Sequence, residues 1–157
     1  MAPWLRRSRN SSIVAQVLEN SCRNTLRKDE ILRGRKVVSE LFDSGSSIKG
    51  EFLRIVFASL SLDGLSCRRG NPLVLFVVGK KNVPSAVDRN RIKRLMREAY
   101  RHEKCVAVNC AEHLGQHDGR ALCIALIYTG RSRSKVQADR FRKEVRRLLE
   151  AVRQQIS

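Results

Sequence analysis

Five arginine or lysine side chains stand within nine consecutive residues, 89–97, in the segment RNRIKRLMR. Guanidinium and ammonium groups at this density suit phosphate binding, and arginine can hold a phosphate through two parallel hydrogen bonds. The apolar residues of the region recur at helical spacing, and they are Ile92, Leu95, Met96 and Ala99. The pattern predicts an amphipathic helix that docks on a core and presents cationic residues outward.

The polar side of this predicted helix contains the candidate binding residues. Each residue advances about 100° around an α-helix. The face opposite the apolar stripe therefore contains Asn90, Arg94, Arg97 and Arg101. Arg89 and Lys93 flank the stripe. A plain solvated face is the alternative, but such a face ordinarily mixes charges of both signs.

The charge of the whole chain favours the same class of partner. The 157 residues include 32 Lys and Arg against 15 Asp and Glu, which gives a formal net charge of +17. Such a field favours a polyanion, with nucleic acid first and an acidic membrane surface second. No apolar run is long enough to span a bilayer, and the first residues lack the apolar core of a secretory signal. We therefore expect a cytoplasmic protein whose five cysteines stay reduced.

The coarse pattern predicts one domain, 26–157, behind a basic extension, 1–25. Its elements follow in the order helix, strand, strand, helix, strand, helix, with a further short strand near 47–49. The predicted elements are a helix at 36–42 that Gly45 ends, strands at 52–58, 73–78 and 121–128, the basic helix ending near His102, and a last helix at 135–155.

Residues for catalysis or metal binding are harder to find. The carboxylates are scattered, whereas a metal-dependent nuclease needs them clustered, so we predict no catalytic residue in the chain. Four possible zinc ligands do occur in the polar stretch 103–118, with the spacing C-x4-C-x2-H-x3-H. They are Cys105, Cys110, His113 and His117. Their spacing is tighter than in familiar zinc fingers, so we favour a loop rich in these residues over a metal site.

The segment VVGKKNVPSAVDRNRIKRLMREAYR (77–101) resembles the signature of the protein subunit of bacterial ribonuclease P. That family has an RNR motif on a helix, here Arg89-Asn90-Arg91, after a strand and a Lys-Lys loop. The resemblance extends more weakly from about Leu26 to the C-terminus. It implies an α/β (α+β) sandwich of order αβββαβα, with a left-handed βαβ crossover and a likeness to the second domain of ribosomal protein S5. The usual crossover is right-handed, so this feature is an expectation from the family alone.

The resemblance also implies a function. The family's protein assembles with a catalytic RNA that carries out the endonucleolytic step with its own Mg²⁺, and the ribonucleoprotein removes the 5′ leader of precursor tRNA. No cofactor is then expected on the protein alone. By position, the expected RNA-binding residues are Lys80, Lys81, Arg89, Asn90, Arg91, Lys93, Arg94, Arg97 and Arg101.

The family's leader-binding cleft lies between the first helix and the sheet, and here it is expected to contain Val38, Phe42, Arg54 and Val56. Family members often place aromatic residues in it, which stack on unpaired bases. This chain retains Phe42 but has valine at 38 and 56, so Arg54 and phosphate contacts should matter more. The alternative for Phe42 is a plain core residue.

Two other functions remain open from the sequence. An rRNA-binding ribosomal protein or assembly factor would use the same charge and a related fold without supporting cleavage. A membrane-surface protein would place Trp, Phe and Leu opposite the basic face, whereas this helix has a stripe of Ile, Leu, Met and Ala.

Overall fold

The computed structural model describes residues 24–61, 71–118, 120–131 and 137–156, without the side chains of 114–118. The predictions for residues 1–23 of the N-terminal extension, and for residues 135 and 136 of the last helix, lie outside these ranges. After a single 3-10 turn at Lys28–Glu30, the elements are α1 (Arg35–Ser44), β1 (Ser46–Lys49), β2 (Leu53–Ser61), β3 (Leu73–Val78), α2 (Ala86–Asp118), β4 (Arg120–Tyr128) and α3 (Ala138–Ile156). The predicted αβββαβα order, with its short additional strand, is confirmed.

The four strands form one mixed sheet in the order β1-β2-β4-β3. β2 pairs antiparallel with both β1 and β4, whereas β3 pairs parallel with β4 from Leu73↔Cys123 to Val78↔Tyr128. A parallel pair needs a crossover connection, and α2 supplies it. The left hand of this crossover stays a prediction of the family resemblance.

Helices cover both faces of the sheet. One face packs Ile55, Phe76 and Ile124 against α2 and α3. The other face packs Val56 and Cys123 against Leu41 of α1 and its neighbours. Side chains alternate across a strand, so residues of even and odd number in each strand enter different cores. The result is a sandwich with α1 on one side and the basic helix α2 on the other.

The helix α2 is longer than its sequence indicates. The prediction of a helix ending near His102 and a loop at 103–118 is wrong, since α2 continues to Asp118. Beyond His102, this helix still contributes core residues, among them Ala107 and Cys110. Two charged residues, Glu103 and Lys104, are also buried there, and both form ion pairs. Their polarity makes a core-facing helix look like a polar loop in sequence.

Candidate nucleic-acid interface

The start of α2 is fixed by local hydrogen bonds. The Ser85 carbonyl accepts the first helical hydrogen bond, from the Arg89 N–H at 3.0 Å. The Ser85 hydroxyl also accepts a hydrogen bond from the Asp88 N–H at 3.4 Å, as an N-cap residue does. Asp88 places a negative charge in the first turn, where the helix dipole favours it. Ser85 is therefore the N-cap residue of α2.

The predicted apolar stripe of α2 docks on the sheet. Met96 and Ala99 are buried, and Ile92 and Leu95 are partly buried against the same core. Because one side of the helix is committed to packing, its opposite side must face solvent.

The structure brings the nine predicted RNA-binding residues onto the outer side of α2 and the loop before it, and we call this set the basic face. Exposed members are Lys80, Lys81, Asn90, Arg91, Arg94 and Arg97. Half-exposed members are Arg89, Lys93 and Arg101. The nine residues therefore occupy one helix face and the loop before it.

Members of the basic face differ in what they contact. Arg101 forms an ion pair with Glu98 at 2.7 Å, and the Arg97 guanidinium lies 6.0 Å from the centre of the Phe76 ring. In contrast, the exposed side chains of Lys80, Lys81, Arg91 and Arg94 form no hydrogen bond or ion pair with the described part of the chain.

The loop between β3 and α2 is held in place by Val83 and Asn82, whose roles helical spacing and charge do not indicate. The Val83 N–H donates to the Gly79 carbonyl at 3.0 Å, and the Val83 side chain is fully buried. The Asn82 side-chain amide donates to the Tyr128 carbonyl at the end of β4, at 3.3 Å. One signal was present: Val83 and Pro84 are apolar residues inside a basic loop.

The predicted leader-cleft residues occupy α1 and β2. Phe42 is 43% exposed, so it is not a core residue. Arg54 is exposed on the sheet face that α1 covers, and its Nη2 donates to the Ser47 hydroxyl at 2.9 Å. Val38 is partly buried against the core beneath α1.

The fourth cleft residue, Val56, lies deeper than its neighbours. It is only 5% exposed, because α1 ends directly above it. A Cβ at Gly45, the residue after α1, would lie 2.7 Å from Val56 Cγ1 and would collide with the Leu41 carbonyl oxygen. Val56 is therefore buried beneath the end of α1, while Phe42 and Arg54 have accessible surface.

The four cysteine and histidine residues lie along α2 rather than in a loop. Cys110 faces the core, where burial raises the pKa of its thiol, and His113 is exposed. Cys105 is partly buried, and the side chain of His117 is outside the described set. Among the residues with described side chains, no three His, Cys, Asp or Glu lie close enough together to hold a metal ion.

These features define a class: a small, strongly basic α/β protein that presents one cationic helix face on one side of its sheet and exposes Phe42 and Arg54 on the other. Within the described ranges, no helix combines the length and the apolar character needed to cross a membrane.

Comparison with known proteins identifies the family within this class. A family model described as Ribonuclease P matches residues 26–153. The ribonuclease P protein component of Chlorobium phaeobacteroides is 44% identical over 131 residues, covering 83% of this chain and 89% of the relative. That of Chlorobaculum tepidum is 45% identical over 127 residues, covering 80% of this chain and 81% of the relative. The chain belongs to the ribonuclease P protein family.

Solved structures agree with this chain in fold. The RNase P protein from Thermotoga maritima superposes with a TM-score of 0.56 at 24% identity, covering 78% of this chain and 96% of that one. The RNase P protein from Staphylococcus aureus gives a TM-score of 0.54 at 16% identity, with 78% and 94% covered. The mixed α/β fold expected from the resemblance is therefore confirmed.

Proposed function

We propose that this chain is the subunit that binds the catalytic RNA of ribonuclease P through its basic face. The observation that carries the proposal is a set of four charges, Lys80, Lys81, Arg91 and Arg94, without a partner in the described part of the chain. Close-set like charges repel one another, and RNA phosphates relieve this repulsion. Membership of the ribonuclease P family supports this over the alternative of an rRNA-binding ribosomal protein or assembly factor.

The surface of α1 and β2 on the other side of the sheet is suited to the 5′ leader of precursor tRNA. Phe42 offers an exposed ring on which an unpaired base can stack, and Arg54 offers a cation at the sheet surface. The two surfaces lie on opposite sides of the sheet. One protein can therefore contact the catalytic RNA and the substrate leader together.

In this proposal the endonucleolytic chemistry, and the Mg²⁺ that it needs, belong to the RNA subunit in the cytoplasm. The protein neutralises phosphates where two RNAs meet, which lowers the metal concentration needed to hold them together. It also binds the precursor more tightly than the mature tRNA, because only the precursor has a leader to occupy the cleft.

The decisive test is cleavage of a precursor tRNA by a bacterial ribonuclease P RNA at low magnesium, with and without this protein. We expect 5′ cleavage at the mature end only when both are present. RNA from several bacteria should be used, so that an incompatible RNA is not mistaken for an inactive protein. Tight binding to rRNA with no stimulation of any ribonuclease P RNA would favour the ribosomal alternative.

Replacement of Phe42 by alanine should weaken binding of precursor tRNA by the assembled holoenzyme about 5- to 150-fold, the range for losing one base–aromatic stack. Mature tRNA should bind as before, because it has no leader. Phe42→Tyr preserves the ring and should restore most of the affinity. Binding of both tRNAs is measured by filter retention, and equal losses for precursor and mature tRNA would contradict a leader contact.

A further inference from the structure

We propose that Arg89, the first arginine of the RNR segment, is a positioning residue that holds the basic loop, rather than a residue that neutralises a phosphate. The inference rests on the proposed RNA-binding function and assigns different roles to Arg89 and Arg91. Arg91 faces solvent and contacts RNA, whereas Arg89 acts through Lys80 and Lys81.

The contacts of Arg89 turn its guanidinium back toward the chain. Its Nη1 donates to the Val83 carbonyl at 3.0 Å and to the Pro84 carbonyl at 2.6 Å. Nη1 has two hydrogens, so both are committed. This arrangement removes the end-on mode of phosphate binding, which uses both terminal nitrogens, and leaves only Nε and Nη2 as free donors. Arg89 is also half-buried, whereas Arg91 is exposed.

The two carbonyls that Arg89 binds belong to the end of the loop that presents Lys80 and Lys81. The start of this loop is closed by the hydrogen bond from Val83 to Gly79, and its middle is tied to β4 through Asn82. The two hydrogen bonds of Arg89 connect the last residues of the loop to the first turn of α2. It thereby fixes the two lysines relative to the helix.

A fixed loop binds more tightly than a mobile one with the same charges. A mobile loop that carries the two lysines would lose backbone freedom when it binds RNA, and this loss of entropy opposes association. Because Arg89 holds the backbone in advance, the benefit of Arg89 to RNA binding should exist only while the lysines are present. A direct phosphate contact would contribute regardless of them.

This difference can be measured with a double-mutant cycle on the binding of a bacterial ribonuclease P RNA. Arg89→Ala should weaken binding by about tenfold in the natural chain, but by no more than about twofold in a chain that also has Lys80→Ala and Lys81→Ala. Arg91→Ala is the matched control. It should lose the same affinity in both backgrounds and lower the slope of log affinity against log salt by about 0.7 to 0.9.

The result that overturns the proposal is an Arg89→Ala loss of equal size in both backgrounds, with a fall in salt slope like that of Arg91→Ala. No loss in either background would overturn it as well. Circular dichroism and thermal unfolding of each variant confirm that the changes are not due to unfolding.

A second measurement on the free protein separates this inference from the function on which it rests. Amide hydrogen exchange at Val83 should be roughly tenfold faster in Arg89→Ala, because the loop opens more often, and unchanged in Arg91→Ala. Failure of the natural protein to bind ribonuclease P RNA would contradict the proposed function without affecting this result. Unchanged exchange at Val83, with RNA binding intact, would overturn the positioning role alone.

Discussion

Replacement of Lys104 by alanine should lower the free energy of unfolding by about 3–5 kcal/mol, the range for removing one member of a buried ion pair. The Lys104 ammonium lies 2.5 Å from Glu30 Oε1, and the two side chains are only 6% and 4% exposed. Without Lys104, the Glu30 carboxylate would remain inside the protein with no compensating positive charge. Denaturant unfolding followed by circular dichroism measures the loss.

The ion pair between Lys104 and Glu30 connects the segment before α1 to the middle of α2. Lys104 Nζ also donates to the Thr25 carbonyl at 2.9 Å, and Glu30 Oε2 accepts a hydrogen bond from the Arg27 N–H at 2.8 Å. Tyr100 packs nearby, where burial and then the Glu30 carboxylate raise the pKa of its phenol. We therefore expect Lys104→Ala to expose the chain near Thr25 to proteolysis before the rest unfolds.

Two controls test whether the buried charge is the cause. Glu150→Ala removes one partner of an exposed pair with Arg146, whose side chains are 53% and 61% exposed, so it should cost no more than about 0.5 kcal/mol. Replacing Lys104 by Met together with Glu30 by Leu removes both charges and should recover much of the lost stability. If Lys104→Ala were as mild as Glu150→Ala, the pair would not stabilise the fold.

Three of the four strands could be predicted from sequence because they are mostly buried, whereas β1 is largely exposed. The run LVLFVV predicts a strand at 73–78, and β3 is Leu73–Val78. It is covered on both faces, so nearly every position must be apolar, and the signal does not depend on distant residues. The prediction of α1 at 36–42 was short by a turn, since the helix is Arg35–Ser44, but its end at Gly45 was right.

The second half of α2 could not be predicted because its burial depends on partners far along the chain. Lys104 is buried only because Glu30, 74 positions earlier, neutralises it. Glu103 is buried beside Arg142 on α3, which donates to it at 2.6 Å. Hydrophobic periodicity counts charged residues as exposed, so a helix that uses ion pairs in its buried face looks like a loop.

The basic face was predictable as a surface but not residue by residue. Helical spacing correctly separated Met96 and Ala99 from Arg94 and Arg97. It could not reveal that Arg89 turns toward Val83, because this depends on where the loop places its carbonyl groups. Sequence spacing thus locates a cationic helix face, whereas the contacts decide which of its arginines remain available to RNA.

Replacement of Glu144 by alanine should have the second large effect, a loss of about 2–5 kcal/mol in the free energy of unfolding. Glu144 is a buried residue of α3 whose Oε1 accepts hydrogen bonds from the Phe52 N–H at 2.9 Å and the Leu53 N–H at 3.0 Å. Both N–H groups are buried at the start of β2. Without the carboxylate they would lose their acceptor, and a buried donor without a partner costs about 1–3 kcal/mol.

Glu144→Gln separates the role of the acceptor from that of the charge. The amide preserves one acceptor oxygen, and the other carboxylate oxygen, Oε2, has no hydrogen-bond partner in the described part of the chain. We expect Glu144→Gln to cost about 1–2 kcal/mol, since a neutral acceptor forms weaker hydrogen bonds than a charged one. Gly50→Ala offers an independent check, because its Cβ would collide with Glu144 Oε1 and lie 2.9 Å from the Leu53 carbonyl oxygen. If Glu144→Gln were as damaging as Glu144→Ala, the hydrogen bonds to β2 would not be the source of the stabilisation.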